Sequence, residues 1–393
     1  MIEVKLKDYI QLTGGGTPSK ENDTYWNGKI PWASVKDLKS DYITSTVDTI
    51  TKEGVENSAT NIIPANTLLI ATRMAVGKVA FAQVDMAINQ DLKAISCRSG
   101  IDKKFLFYLL KSKSKYFEKI SSGATVKGIK INHILDLYVP LPPLPTQKKI
   151  AAILDAADAY RQKTKALIEK YDQLAQALFL DMFGDPVVNP KGWKKVNLKT
   201  FIQDVKNGIT RRPKTIEDNT GDKVLKLKHI RANYINYDCE NRIKLTALEK
   251  EKFDVQIDDL LFIRVNGNPD YVGRCAIHVN INETVYYNDH IMRVRLNKKQ
   301  LNIIFSSFFL NSTFGHKEIL QHVKTSAGQH TINQQGLEKI KFIYPPVALQ
   351  NKFAKELQLI EQQKQQALAS LQKAEDLFNS LLQRAFKGEL VKE

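Results

Sequence analysis

At 393 residues the chain is long enough for two or three domains with real cores, and its 43% hydrophobic content argues against intrinsic disorder. Lysine and arginine number 58 against 42 acidic residues, a formal charge of +16 and a pI of about 9.4; this points either to a polyanionic partner or simply to a basic soluble protein. The start, MIEVKLKDYIQL, lacks the cationic and continuously apolar pattern of a signal peptide, and no run approaches the roughly 20 apolar residues of a membrane span, so a cytoplasmic protein is expected.

Taken in chain order, the elements come twice. VKLKDYIQLTGGGTP from Val4 begins with Val-x-Leu-Lys, passes through an apolar run and reaches a glycine turn; VNLKTFIQDVKNGIT from Val196 repeats it. TLLIATRMAVGKVAF, Thr67 to Phe81, reads as strand, loop, strand, and DLLFIRVNGNPDYVGRCAI, Asp259 to Ile277, repeats it with a longer insertion. Each copy ends on a proline pair: PPLPTQKKIAAIL from Pro142 aligns without gaps with PPVALQNKFAKEL from Pro345. Such internal repetition governs the reading of the whole fold.

A long helix follows each proline pair. Ile150 to Phe183 and Phe353 to Lys387 contain neither Gly nor Pro and are rich in Ala, Leu, Gln, Lys and Glu. Apolar positions recur in steps of four and three. In the first helix they are Ile150, Leu154, Ala157, Thr164, Ile168, Tyr171, Ala175, Leu178 and Met182. In the second they are Phe353, Leu357, Ile360, Ala367, Leu371, Ala374, Phe378, Leu381 and Ala385. These are heptad seams. Each contains one basic residue at the same place, Arg161 and Lys364, which either fixes pairing register or snorkels out of the seam.

Helices of about 31 to 35 residues would each be roughly 50 Å long. Paired antiparallel, they would set two domains apart about an approximate two-fold axis, by roughly 14 base pairs if the ligand is DNA. The copies differ widely between their landmarks, so a bipartite and asymmetric target is expected.

This ordered set of motifs resembles the specificity subunits of type I restriction-modification enzymes over essentially the whole chain. The resemblance rests on the two-fold domain-helix plan, GGGTPS at Gly14 to Ser19, ATR…GKVA from Ala71 to Ala80, the proline-to-helix junction from Pro143 to Ile150, and SLLQRAFKGEL from Ser380 to Leu390. It implies an α+β protein with two α/β target-recognition domains, residues 1–145 and 184–345, and two helical spacers, residues 146–183 and 346–393. It also implies double-stranded DNA, two DNA methyltransferase subunits and restriction-translocase subunits as partners, with S-adenosylmethionine, ATP and Mg on those partners and no cofactor on this chain.

No catalytic role is expected. An adenine methyltransferase needs a polar-Pro-Pro-aromatic pocket, and the nearest pieces, Gly184-Asp185-Pro186 and Asn189-Pro190-Lys191, read as a linker turn. GxxxxGK[ST] and HExxH are absent. Cys97, Cys239 and Cys275 are far apart, with no zinc spacing, and read as buried free thiols. Two alternatives are a helical scaffold whose basic domains bind nucleic acid without sequence preference, which salt-dependent, unspecific binding would reveal, and a self-sufficient methyltransferase, which S-adenosylmethionine turnover by the chain alone would reveal.

Three loops per copy are candidates for DNA contact, since Lys, Arg and backbone amides suit phosphate while polar side chains suit base edges. The glycine turn offers Thr17 and Lys20, and its counterpart Arg211 and Arg212; the glycines themselves also fit a plain tight turn. The strand-joining loop offers Arg73 and Lys78, matched by Arg264, Asn266, Asn268 and Arg274, with Arg73 and Arg264 taken as equivalent and suited either to base readout or to shared architecture. SSGATVKGIK, Ser121 to Lys130, offers Thr125 and Lys127, and TSAGQHTIN, Thr325 to Asn333, offers Gln329 and His330; both also fit mobile surface loops. Outward residues Tyr160, Leu167, Leu174, Phe179, Leu368, Leu377 and Leu382 either bind partner subunits or widen the seam.

Overall fold

The computed structural model describes residues 3–123, 126–210, 220–238 and 241–391. The chain divides inside its two long helices into two compact units, Met1–Leu167 with Ala367–Glu393, and Ile168–Gln366.

In the first unit, strand Glu3–Lys5 pairs antiparallel with Tyr138–Pro140, closing the domain's two ends on each other. The central sheet runs in the order Ile10–Gly14, Leu92–Cys97, Leu68–Ala71, Val79–Ala82, Tyr42–Ile43; only the last junction is parallel. Leu68–Ala71 and Val79–Ala82 are buried at every position, which explains their uninterrupted apolar sequence: the sheet is covered on both faces. One cover is the helix Lys103–Ser112, where six successive residues from Phe105 to Leu110 are buried. A second sheet, Asp48–Ile50, Trp26–Ala33, Met86–Ile88, Asn61–Ile63, carries the tryptophans.

The second unit repeats this frame. Lys194–Asn197 pairs with Lys341–Tyr344, and the central sheet has the order Ile202–Asn207, Ile291–Leu296, Leu260–Ile263, Cys275–Ile277. Helices Ile303–Asn311 and Thr313–Leu320 follow as Lys103–Ser112 and Ser114–Ile120 do in the first unit. One register difference matters. A bulge between Ile202 and Asp204 inserts a residue, so Asn207 lies opposite Met292 as Gly14 lies opposite Lys93, and Gly208 takes the place of Gly15.

Both junctions between domain and long helix use the same latch. Gln147 and Gln350 are fully buried. The Gln147 side chain accepts the Asp102 N–H (2.8 Å) and donates to Pro142 O (2.8 Å); Gln350 accepts the Asn302 N–H (2.9 Å) and donates to Pro345 O (2.8 Å). Asp102 and Asn302 in turn cap the helices Lys103–Ser112 and Ile303–Asn311. The amide is the side chain with both the acceptor and the donor that this position requires.

The long helices span Leu144–Phe183 and Val347–Lys387, 40 and 41 residues, beginning just after each proline pair rather than at Ile150 and Phe353. Within each unit their segments run antiparallel. In the first, Ile150 lies in the same cluster as Ala385, while the Tyr160 hydroxyl meets Ser370 Oγ at 2.9 Å; in the second, Lys364 meets Asp172 at 2.6 Å and the rings of Phe179 and Phe353 lie 5.6 Å apart. Every heptad position named above is buried or half-buried.

The two basic seam residues behave differently. Arg161 remains in the seam, its side chain 15% exposed, hydrogen-bonded to Asp158 and lying 4.4 Å from the Phe378 ring centre, with Nε buried and unpartnered among the described residues. Lys364 instead reaches an exposed carboxylate on the neighbouring helix.

Candidate nucleic-acid interface

The candidate loops converge within each unit, on the same backbone frame. The glycine turn packs on the loop that joins two strands of adjoining sheets, Asn89–Asp91 in the first unit and Asn288–His290 in the second. A Cβ on Gly15 would sit 2.0 Å from Ile88 O, and one on Gly208 2.3 Å from Tyr287 O and Asn288 O, so only glycine allows this approach. Gly16 N–H then donates to Ile88 O (3.1 Å), as Ile209 N–H does to Tyr287 O (2.9 Å).

The second and third candidate loops are stitched together. Ile129 N–H donates to Thr72 O (2.8 Å) and Met74 N–H to Lys127 O (3.1 Å). In the second unit Ile332 N–H donates to Arg264 O (3.0 Å), and Val265–Asn266 pairs with Gln329–Thr331, itself paired with Lys324–Ser326. That hairpin turns through Ala327 and Gly328, both at positive φ (46° and 73°).

These bonds correct one expectation. Thr72 N–H donates to Asp91 O and Arg264 N–H to His290 O, both at 2.8 Å, so Arg264 corresponds to Thr72 and Arg73 to Val265. A shift of one residue turns a side chain to the opposite face of a strand, so the two arginines are not equivalent. Arg73 is half-exposed and lies 3.6 Å from Asp91, whereas Arg264 is half-buried and donates to Asp289 O (2.7 Å), bracing the loop from behind.

The other residues fall as follows. Thr17 is half-buried; Lys20, Lys78 and Lys127 are exposed, as phosphate contacts require. Asn266 Oδ1 accepts the Asn268 N–H and Asn268 Oδ1 the Asp270 N–H, both at 2.9 Å, so both carbonyls serve the turn. The Arg274 guanidinium lies 4.1 Å from the Tyr271 ring centre and donates to Asp270 O (3.0 Å). Gln329 is exposed at the hairpin, and His330 Nδ1 lies 2.9 Å from Thr325 Oγ1. Thr125, Arg211 and Arg212 lie outside the described residues.

On the helices, Tyr160, Leu167, Leu174, Leu368 and Leu377 are exposed, joined by Leu180 and Leu359. Phe179 is a correction: it is 2% exposed, in a ring cluster with Phe183, Phe305, Phe308 and Phe353, because the domain covers that end of the helix. Leu382 is half-buried against the first unit's core.

Sequence reading missed the loop Asn89–Asp91 and its counterpart. Its signal was faint: NQDL against NDHI shares one asparagine. In the first unit this loop edges a cleft of about 760 Å³ with Thr17, Lys20, Trp26, Lys36 and Met74.

The described residues contain no group of three or more His, Cys, Asp or Glu side chains able to hold a metal ion, and no helix long and apolar enough to cross a membrane. Cys97 and Cys275 are free; Cys275 is buried as expected, Cys97 only half-buried, and Cys239 lies outside the described residues. Burial pushes the Cys275 thiol up to about 12, far from the reactive range. Gly184 at φ 75° and Asp185, whose carboxylate accepts the Val187 N–H (2.7 Å), form a helix-ending turn.

The architecture is that of a paired recognition protein, one loop-bearing α/β frame used twice with different side chains at its tips. The chain belongs to the family of type I restriction-modification DNA specificity subunits, whose DNA specificity domain model matches residues 1–170 and 190–373. It is similar to the StySPI specificity subunit of Salmonella potsdam, 28% identical over 87% of this chain and 77% of that one. The MjaIX specificity subunit of Methanocaldococcus jannaschii is also 28% identical, over 98% of this chain and 92% of that one. In fold it is similar to the type I system S subunit of M. genitalium, with a TM-score of 0.60 and 17% identity over 98% of this chain and 96% of that one. Specificity subunits of type I systems are non-catalytic, the catalytic activities residing on other subunits.

Proposed function

We propose that each domain reads one half of a bipartite, asymmetric DNA target and that the long helices set the spacing between the halves. The observation carrying this is the shared backbone frame with divergent tips: Lys127 occupies the place of His330, Gln90 that of Asp289 and Asp91 that of His290. At about 1.5 Å per residue the helices are each about 60 Å long, between one and two DNA turns of about 34–36 Å, which supports a spacer role. Domain limits at 1–145, 146–183, 184–345 and 346–393 go with this reading. Thr17, Lys20, Lys78 and Lys127 are assigned to the first half-site, and Asn266, Asn268, Arg274, Gln329 and His330 to the second.

Exposed Tyr160, Leu167 and Leu174 at heptad spacing, with Leu368 and Leu377, support docking of two DNA methyltransferase subunits, one to each copy of the helix. The restriction-translocase subunits complete the complex, and S-adenosylmethionine, ATP and Mg belong to the partners. Leu174→Asp is expected to release a methyltransferase subunit on size-exclusion chromatography without changing the thermal unfolding of the free chain; retained assembly would remove the docking role.

The central test is to map methylated adenines in DNA from cells expressing the chain with its methyltransferase. A single bipartite motif is expected, and Gln329→Ala with His330→Ala should relax only one half of it. A wild-type sample with no motif overturns the reading.

A further inference from the structure

The cleft in the first unit presents one side chain in the way a base reader is presented. Asn89 is 5% exposed, and its Oδ1 accepts the N–H groups of Asp91 (3.1 Å) and Leu92 (3.2 Å), locking the loop. Asp91 is buried and faces Arg73 at 3.6 Å. Between them the Gln90 side chain stands exposed at the cleft edge. The Thr17 hydroxyl donates to Gln90 Oε1 (2.5 Å), which fixes the amide's orientation, while Nε2 has no partner among the described residues. One Oε1 lone pair and the Nε2 protons therefore remain available, in a set orientation, beside the exposed Lys20.

An amide offering one acceptor and one donor side by side matches the N6–H and N7 edge of adenine. A side chain pre-oriented by a neighbour loses less freedom on binding and discriminates better. We propose that Gln90 is a specificity-determining residue that reads an adenine in the half-site held by the first domain, with Thr17 as its positioning residue and Lys20 on the adjoining phosphate. The same loop position in the second unit is Asp289, an acceptor-only carboxylate, which suits an amino group such as cytosine N4–H2. The two half-sites thus diverge at this position. The inference rests on the reading that the first domain binds DNA.

The test uses the full chain with its own methyltransferase, comparing methylated motifs for the unsubstituted chain, Gln90→Ala, Gln90→Glu and Thr17→Val. In Gln90→Ala, discrimination for adenine at one position of one half-site should fall roughly five- to 150-fold, the span of a bidentate base contact. Gln90→Glu should shift the preference at that same position, and Thr17→Val should weaken it less than Gln90→Ala does. An unchanged motif in Gln90→Ala, a change in the other half-site, or equal relaxation of both halves overturns the inference while leaving two-domain reading intact. Absence of any bipartite motif in the unsubstituted chain removes the underlying reading instead.

Discussion

The central sheets of the two recognition domains share the order of four strands but not a way of filling the space beneath them. At the position opposite Leu69 the first domain has Ala94; opposite Leu261, the equivalent place, the second has Arg293. Ala94 lies in a cluster of small and aliphatic side chains with Ala71, Ala80 and Ala82. Arg293 is 1% exposed and surrounded by carboxylates: it is hydrogen-bonded to Asp204, donates to Asp254 Oδ1 (3.0 Å), and lies 4.0 Å from Asp259, which Arg295 grips with two bonds of 2.8 Å. One frame thus tolerates an apolar interior or an ionic one in which two arginines face three carboxylates, and the backbone bonds that stitch the loops above it recur in both cases. The frame and the reading surface are separable, which is how one fold can serve two sequences.

That comparison can be broken most directly at Arg293. Arg293→Met leaves three aspartates facing a single arginine and is expected to cost the second unit about 3 kcal/mol, since Asp204 and Asp254, each 37% exposed, lose charged hydrogen bonds while buried Asp259 keeps Arg295. Denaturant unfolding of the full chain should show the second unit's transition move and the first's stay; a loss below about 1 kcal/mol would mean the cluster is not what fills that interior.

A second difference is sensitivity to acid. His229 is buried and its Nδ1 accepts the Lys226 N–H (2.8 Å); desolvation, aided by the charge of Lys228, lowers its pKa to about 4, and burial also lowers that of His278. Both lie in the second unit. A lowered folded-state pKa means that the unfolded chain binds the proton first. Stability is therefore full above about 6.5 and falls as pH drops toward about 4, by about 3 kcal/mol for His229. Unfolding measured from pH 7 to 4 should show this loss, and His229→Asn, which keeps an acceptor for Lys226, should flatten it. An unaltered slope in that variant would assign the acid sensitivity elsewhere.

The smallest contrast lies in the two seams. Arg161→Met loses the stacking on Phe378 and leaves Asp158 without its arginine, for an expected cost of about 1–2 kcal/mol. Lys364→Met breaks a pair whose aspartate is 58% exposed and should cost less than about 1 kcal/mol. Equal costs by thermal unfolding would make the two seams interchangeable.

The sequence carried the helices and the recurring strand-loop-strand segments clearly, because heptad spacing and buried apolar runs are local signals with long repeats. It carried the candidate loops as segments but not as a surface. Ser121–Lys130 and the loop after Ala71 are about 50 residues apart in the chain and meet only through pairing such as Met74 with Lys127. The loop Asn89–Asp91 went unread because a three-residue connection with one shared asparagine stands out only once both sheets are built around it.

What the amino-acid sequence determined by itself was the plan: two copies of one α/β unit, each ending in a long helix with a buried seam. Repetition and periodicity depend on residues near one another in the chain. Only the tertiary structure decided which face the side chains take at the strand ends and where a domain covers a helix. The bulge after Ile202, the pairing of Arg264 with the place of Thr72 and the burial of Phe179 each depend on a register or a packing partner distant in the chain. A slip of one residue in a strand, or one covered end of a helix, reverses inside and outside without altering the sequence pattern at all.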